Sequence, residues 1–447
     1  MCGINVVING THKEIELMTS ATSKRGVSNY FYKKDNIHVG FNWLPITDDT
    51  NPPPYTAGKY HVWLNGYISN YKELIDKYNL NPKSKCDSEV LALFIDKFGF
   101  DKLQELNGFF SVVVLVGGRI YTFTDRYGIK QLYNYKEGNT HYISSEVKGI
   151  LAVKDLELDT IALADWEYSL GIMTDNTIYK NVYKSKTLSF QIPMKIDIPY
   201  DEAKEILEIK LLRSCFRNKY KEDGVFLSGG IDSGILAKIL NPKYSFSMDY
   251  LDQRSEIDNI KLNSIGEHYT MIHNEGFYNK YKDQAINALD DLKAGSCYTN
   301  YAISELASKF CKVVYSGAGG DEIFNGYTHR YNKPIGEVIC RNKEALIKTE
   351  KEINHKEYDW RFLKGILIVE DRMGGANTLE TRYPLLDNDL VDFCLSLPNT
   401  YINNKRILKD VSGLNDEVIN GKKKGFSNPI TNKEWIEEVL RVKGIIK

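Results

Sequence analysis

The stretch DGVFLSGGIDSGILAKIL, Asp223–Leu240, runs from an apolar segment through two adjacent glycines into a second apolar segment of helical character. "DGVFLSGG" reads as a strand that ends in a glycine turn, and "DSGILAKIL" as the helix that follows it. Ser228, Gly229, Gly230, Asp232 and Ser233 occupy the turn and the start of the helix. Glycines let backbone N–H groups approach an anion closely, a helix N-terminus adds partial positive charge, and hydroxyls donate further bonds. In that setting the loop reads as a phosphate cradle, the alternative being an ordinary glycine-rich turn. It lacks the GK[ST] ending of a Walker A loop, so transfer of a γ-phosphate is not implied.

The same grammar continues outward. "KYSFSMDY" (243–250) reads as a strand, "SEIDNIKLNSIGE" (255–267) as a helix, "HYTMIHN" (268–274) as a strand, and "KVVYSGAGG" (312–320) as a strand with a second glycine turn. Strands alternating with helices predict a parallel, doubly wound sheet, whose ligands bind at the carboxyl ends of the strands, where both glycine turns fall. The second turn, "YSGAGGDE", brings Asp321 and Glu322. One acid from each turn, Asp232 and Asp321, makes a pair suited to hold Mg²⁺ against a pyrophosphate, since Mg²⁺ takes one or two carboxylates plus phosphate oxygens and water. Spacing alone leaves that assignment open.

From Gly3 to about Leu151 the pattern changes to short β-type runs: "GINVVI", "YHVWLNGYI", "FFSVVVLV", "RIYTFTDR", "QLYNYK" and "THYISS", with "VGGR" and "KEGNT" as hairpin turns and one helix at "SEVLALFIDKFG" (88–99). This half predicts antiparallel strands covered by helices. It opens "MCGINVVING". Removal of Met1 would leave Cys2 with a thiol and a free α-amino group on one carbon. An α-amino group has a pKa of roughly 8, so part of it is a neutral base able to take the thiol proton. From these letters alone, Cys2 is either such a nucleophile or an incidental second residue.

Bulk properties exclude several classes. The 447 residues suggest two or three domains. With 58 Lys plus Arg against 59 Asp plus Glu, the net charge of -1 offers no footprint for nucleic acid or an anionic membrane. The longest apolar stretch, "GFFSVVVLVGG", falls far short of the ~20 residues that span a bilayer, and the N-terminus lacks the pattern of a signal peptide. The expected location is the cytoplasm. The seven cysteines form no CxxC pair and no ligand-like spacing with the eight histidines, so neither zinc nor structural disulfides are expected.

Taken together and in order, "MCGI", "LNGYISNYKEL", "CDSEVLALF", "TDRYGIKQLYNY", "ISSEVK", "FLSGGIDS", "VVYSGAGGDEIFNGY", "EDRMGGANTLETRYPLLDNDLVDFCLSLP" and "KKKGF" give the chain a close resemblance to the glutamine-hydrolysing asparagine synthetases, over nearly its whole length. The resemblance implies an α+β N-terminal-nucleophile (αββα) glutaminase domain over residues 2–155 and a connecting segment over 156–200. An α/β doubly wound PP-loop domain, like the adenine nucleotide alpha-hydrolases, would follow over 201–447. It implies that the first domain releases ammonia, which passes through an internal tunnel to the second, where ATP adenylates a carboxylate and ammonia displaces AMP. ATP and Mg²⁺ are the implied cofactors. The implied partners are glutamine, a carboxylate acceptor such as aspartate, and a second copy of the chain in a homodimer, with no nucleic acid and no membrane.

Residue by residue, the resemblance makes Cys2 the nucleophile, Asn65 and the Gly66 N–H the oxyanion hole, and Asp87 the acid that holds the glutamine α-amino group. The Ser228–Ser233 loop matches the pyrophosphate loop, while Leu227, Met248, Ser316 and Gly317 fall where the family contacts AMP. Lys423, three before Phe426, matches the family's essential lysine; without the motif, "KKK" would read as a solvated patch.

Three positions depart from the family pattern. Trp43, in "WLPI", replaces the arginine that pairs with the glutamine carboxylate, and an indole cannot form that bidentate pair. Tyr67, in "NGYISN", replaces a glutamate near the glutamine amino group. Ala318 replaces the glutamate of "SGEG" that serves the synthetase centre. The leading expectation is aspartate-to-asparagine conversion. Alternatives are the same mechanism on another carboxylate, such as a uronic acid or a modified-base precursor, and a catalytically silent nucleotide- or glutamine-binding module.

Overall fold

The structure is a computed structural model describing residues 1–47, 51–169, 176–189, 191, 193–250, 260, 264–289, 297–339, 353–421 and 431–444. It divides into two compact units. One comprises Met1–Leu163, Thr174–Phe190 and Gly375–Thr378; the other comprises Ala164–Met173, Gln191–Gly374 and Leu379–Lys447.

The first unit holds strands β1 (Gly3–Ile8), β2 (Ser28–Lys34), β3 (Ile37–Trp43), β4 (Tyr55–Ala57), β5 (Tyr60–Ile68), β6 (Gly108–Val116), β7 (Arg119–Thr124), β8 (Tyr133–Glu137), β9 (Thr140–Ser144) and β10 (Val182–Lys184). They form two sheets, in the orders β10-β8-β9-β1-β3-β2 and β4-β5-β6-β7. Neighbouring strands are antiparallel throughout. Ile4, Val6, Val39 and Phe41 of the first sheet share one buried cluster with Trp63, Val113 and Leu115 of the second. The other face of the second sheet, with Val62, Leu64, Val112 and Val114, packs under Val90, Leu91, Phe94 and Ile95 of the helix Asp87–Phe98. Because β6 is covered on both faces, it reads as an apolar run interrupted only by Ser111 rather than an alternating one.

The helix His12–Ala21 packs on β1 and β3 from the outer side, burying Ile15 and Met18. The unit is therefore layered helix, sheet, sheet, helix. That helix opens with a capping box: the Glu14 N–H donates to Thr11 Oγ1 at 3.2 Å and the Thr11 N–H donates to the Glu14 carboxylate at 2.7 Å. Caps of this kind contribute about 1 kcal/mol. The helix and the β2–β3 hairpin were not among the expected elements.

The second unit is built on β11 (Asp223–Phe226), β12 (Tyr244–Tyr250), β13 (Glu267–His273), β14 (Val313–Tyr315) and β15 (Glu380–Arg382), in the order β13-β12-β11-β14-β15. All neighbours are parallel. The chain moves outward from β11 to β13, then returns to the other side of β11 for β14 and β15. The direction of winding thus reverses between β11 and β14, and such a switch point opens a crevice at the carboxyl ends of the two strands. Both glycine turns follow these two strands. The helix expected over 255–267 falls mainly outside the described residues, and Glu267 at its end opens β13 instead.

β15 was not foreseen. Only three residues long, it carries the charged pair Glu380 and Arg382, which are buried because they bond each other at 2.8 Å. Among the described residues, no helix is long and apolar enough to cross a membrane.

Candidate active sites

In the first unit Cys2 immediately precedes β1, partly exposed, packed against the cluster between the two sheets. The Leu44 N–H donates to Cys2 Sγ at 3.4 Å, and the thiol points back to the Leu44 carbonyl at 3.7 Å. Its main chain is held as well: Arg25 Nε donates to the Cys2 carbonyl at 2.7 Å, and Arg25 Nη1 donates to Glu146 Oε1 at 2.7 Å. Arg25 and Glu146 are both 1% exposed. Much of the guanidinium fork is thereby occupied in fixing the chain at Cys2. Met1 is fully buried, with its sulfur 3.0 Å from Arg25 Nη2 and 2.9 Å from Lys130 Nζ.

Asn65 lies on the same face of β5 as Trp63, which belongs to the cluster against which Cys2 packs. It is fully buried; Nδ2 donates to Ser111 Oγ at 3.3 Å and Oδ1 has no hydrogen-bond partner. Gly66 has a φ of 126°, and a Cβ there would stand 1.9 Å from the Phe109 carbonyl, so only glycine fits. After that break in the alternation Tyr67 turns to the other side, into the cluster beneath the helix Asp87–Phe98, edge-on to Tyr71. Asp87 begins this helix, buried; Oδ1 accepts from Thr47 Oγ1 at 2.8 Å and Oδ2 from the Ile68 N–H at 2.9 Å. Trp43 ends β3 beside Leu44, half-buried, with its ring edge-on to Tyr30 at 5.6 Å. The Cys2, Trp43 and Asn65 positions therefore meet in the layer between the sheets, while Tyr67 leaves it.

In the second unit the two glycine turns press together. A Cβ on Gly317 would lie 2.9 Å from the Ser233 nitrogen, and one on Gly320 would lie 2.3 Å from Asp232 Oδ1. Glycine is required here so that the second turn can close on the start of the helix Ile231–Leu240. Within the first turn, Ser233 Oγ accepts from the Ser228 N–H at 3.1 Å and lies 3.2 Å from Ser228 Oγ. Gly229 has a φ of 77°, and Gly230 caps the helix, where a Cβ would stand 3.6 Å from Ser228 Oγ. Leu227 is buried and donates its N–H to the Phe246 carbonyl at 2.8 Å; Met248 lies further along β12, half-buried; Ser316 and Gly317 directly follow β14. These residues surround the carboxyl edge of the sheet at the switch point.

Asp232 and Asp321 converge on one point, and that point carries a cation which sequence reading missed. Lys405 Nζ lies 2.5 Å from Asp232 Oδ2 and 2.6 Å from Asp321 Oδ1. Asn404 and Lys405 hold φ values of 53° and 58°, a left-handed conformation that costs on the order of 1–3 kcal/mol per non-glycine residue. Main-chain bonds to Asn325 and Phe324 and the two ion pairs offset that cost. The motif "NNKR" gave no sign of this, because the signal is a backbone conformation and a contact across 173 residues. Lys423 lies outside the described residues.

Ala318 donates its N–H to Ser316 Oγ at 3.2 Å. Of the nearby acids, Glu380 is committed to Arg382, and Glu322 accepts from Tyr327 Oη at 2.7 Å while burial pushes its carboxyl up to about 7.

The asparagine synthase family model matches residues 218–443, and the glutamine amidotransferase domain model matches residues 1–193. A Methanocaldococcus jannaschii chain assigned as asparagine synthetase [glutamine-hydrolyzing] 2 is 30% identical over 400 residues, covering 74% of this chain and 76% of its own. The human asparagine synthetase [glutamine-hydrolyzing] is 25% identical over 411 residues, 81% of this chain and 70% of its own. Asparagine synthetase [glutamine-hydrolyzing] 1 of Bacillus subtilis is 25% identical over 573 residues, 99% of this chain and 90% of its own. With an N-terminal amidotransferase unit and a doubly wound synthase unit both matched, the chain belongs to the family of glutamine-hydrolysing asparagine synthetases, ATP-using carbon–nitrogen ligases.

Proposed function

We propose that this ligase converts aspartate to asparagine, using glutamine as nitrogen donor and ATP to activate the acceptor carboxylate. In the first unit Cys2 is the nucleophile. Met1 removal would free the Cys2 α-amino group, whose neutral form takes the thiol proton. Arg25 fixes the Cys2 main chain. Asn65 and the Gly66 N–H receive the oxyanion that develops on the glutamine amide, and Asp87 holds the glutamine α-amino group.

In the second unit the Ser228–Ser233 turn cradles the pyrophosphate, and Leu227, Met248, Ser316 and Gly317 hold the adenylate. The observation that carries this reading is the convergence of both glycine turns, Asp232, Asp321 and Lys405 at the switch point. Two carboxylates already directed at one cationic centre, with Asp232 Oδ1 enclosed and unpartnered, fit Mg²⁺, which takes few protein ligands. Asp232 and Asp321 would hold it, and Mg²⁺ would neutralise the leaving pyrophosphate. Lys405 adds a positive charge where negative charge grows as that group departs, in addition to Lys423, which the family resemblance makes the essential lysine.

Ala318 favours a second reading, the same mechanism on a different acid, because a methyl group removes both a charge and volume beside the acceptor. A screen of candidate acids for ATP-dependent pyrophosphate release, with purified protein and Mg²⁺, decides between them. Release with aspartate on the order of 1 s⁻¹ supports the first. Release with another acid alone supports the second. Release with none overturns both.

A further inference from the structure

Attack of ammonia on an acyl-adenylate leaves a surplus proton on nitrogen, and something at the synthetase centre has to receive it. Ala318 cannot. Glu370 lies on the helix His355–Ala376, a separate element of the same unit. The hydroxyls of Ser316 and Tyr383 face its carboxylate closely enough to favour its charged form. Ser316 is the residue that accepts the Ala318 N–H, so one hydroxyl separates Glu370 from the position where the family's glutamate is missing. The residue keeps some exposure, while Oε2 is enclosed and has no hydrogen-bond partner. Glu370 differs here from Glu380, which is tied to Arg382, and from Glu322, which is tied to Tyr327.

We propose that Glu370 is the proton acceptor of the amide-forming step, supplying from the helix the carboxylate that position 318 lacks. The inference rests on the synthetase reading given above. In the step, the ammonia lone pair forms the C–N bond and Glu370 Oε2 takes a proton from that nitrogen. The bond from the acyl carbon to the phosphate oxygen then breaks, and AMP leaves with the electron pair. An acyl-adenylate and ammonia thus give an amide, AMP and one proton, with no other reactant. Burial pushes the Glu370 carboxyl up to about 7, which matches it to proton transfer near neutral pH.

The test separates adenylation from amide formation. Aspartate-dependent exchange of labelled pyrophosphate into ATP reports the first, and ammonia-dependent asparagine formation the second, each in full-length protein. Glu370→Gln should keep exchange within about threefold of wild type while amide formation falls by about 10²–10⁴. Glu370→Asp should recover part of the loss. Adding Ala318→Glu to Glu370→Gln should recover at least about tenfold, because a carboxylate returns to the same centre. Amide formation by Glu370→Gln within about threefold of wild type overturns the inference, as does a parallel fall of both activities, which marks a structural role. If Glu370→Gln does not fold, Glu370→Asp decides by the same split. Wild-type protein that exchanges pyrophosphate with no acid overturns the synthetase reading, and this inference with it.

Discussion

Replacing Lys405 by methionine keeps an unbranched side chain one atom shorter and removes its charge, leaving Asp232 and Asp321 facing each other. Their oxygens are at most about 5.1 Å apart, the sum of the 2.5 and 2.6 Å contacts to Nζ. The three side chains are only 9%, 11% and 14% exposed, so solvent screens the pair weakly. At an effective dielectric of about 20, two like charges at that separation repel by at least about 3 kcal/mol. Loss of one partner from a buried pair commonly costs about 3–5 kcal/mol, in agreement. For a unit of this size the synthetase transition should melt about 6–12 °C lower. Magnesium should recover part of that loss in the variant and little in wild type, since it restores a cation between the two acids. Scanning calorimetry with EDTA or with Mg²⁺ measures both effects, and pyrophosphate release should fall alongside. A midpoint within about 2 °C of wild type would refute the argument that one lysine neutralises both acids.

Cys2→Ala should abolish asparagine formation from glutamine and leave formation from ammonia intact; equal loss of both would contradict two separate centres. Active protein that retains Met1 by intact mass would exclude the α-amino base. Trp43→Arg should restore a charge-assisted pair worth about 1.5–3 kcal/mol, lowering the glutaminase KM for glutamine by about ten- to a hundredfold. An unchanged KM would mean that another group holds the carboxylate. Burial raises the Glu370 carboxyl from 4.5 to about 7 against the opposing Ser316 and Tyr383 hydroxyls, so the folded protein keeps this proton to higher pH than the unfolded chain does. The stability it contributes is complete below 4.5 and lost as pH rises through about 7. Wild type should therefore lose stability relative to Glu370→Gln between pH 5 and pH 8 in urea titrations, and a constant difference would count against the raised carboxyl.

The second unit was the more legible, because each strand–turn–helix step is local. The run Asp223–Leu240 announces a strand, a glycine turn and a helix in its own letters. The strand order, which creates the crevice, depends on pairing between distant segments and is not written in any one of them. β15 was hidden for a related reason, since Glu380 and Arg382 look solvent-exposed until each is seen to neutralise the other. In the first unit the apolar strands β5 and β6 stood out, whereas β2, with "SNYFYKK", buries no residue fully and mixes Phe31 with Asn29 and Lys33 on its exposed face. At the synthetase centre the glycine turns and Asp232 and Asp321 were readable as motifs. Lys405 was not, because it reaches the two acids from an element far along the chain on a strained backbone, and neither was Glu370, proposed above as the proton acceptor, which lies on a long helix.

The proposed reaction moves the amide nitrogen of glutamine onto an acceptor carboxylate while splitting ATP into AMP and pyrophosphate. Incubation with [amide-¹⁵N]glutamine, aspartate, ATP and Mg²⁺, followed by NMR of the products and quantification of AMP, tests it in one reaction. The expected result is ¹⁵N in the side-chain amide of asparagine, with AMP formed in equal amount. Asparagine without label, ADP in place of AMP, or label confined to glutamine and free ammonium would contradict it.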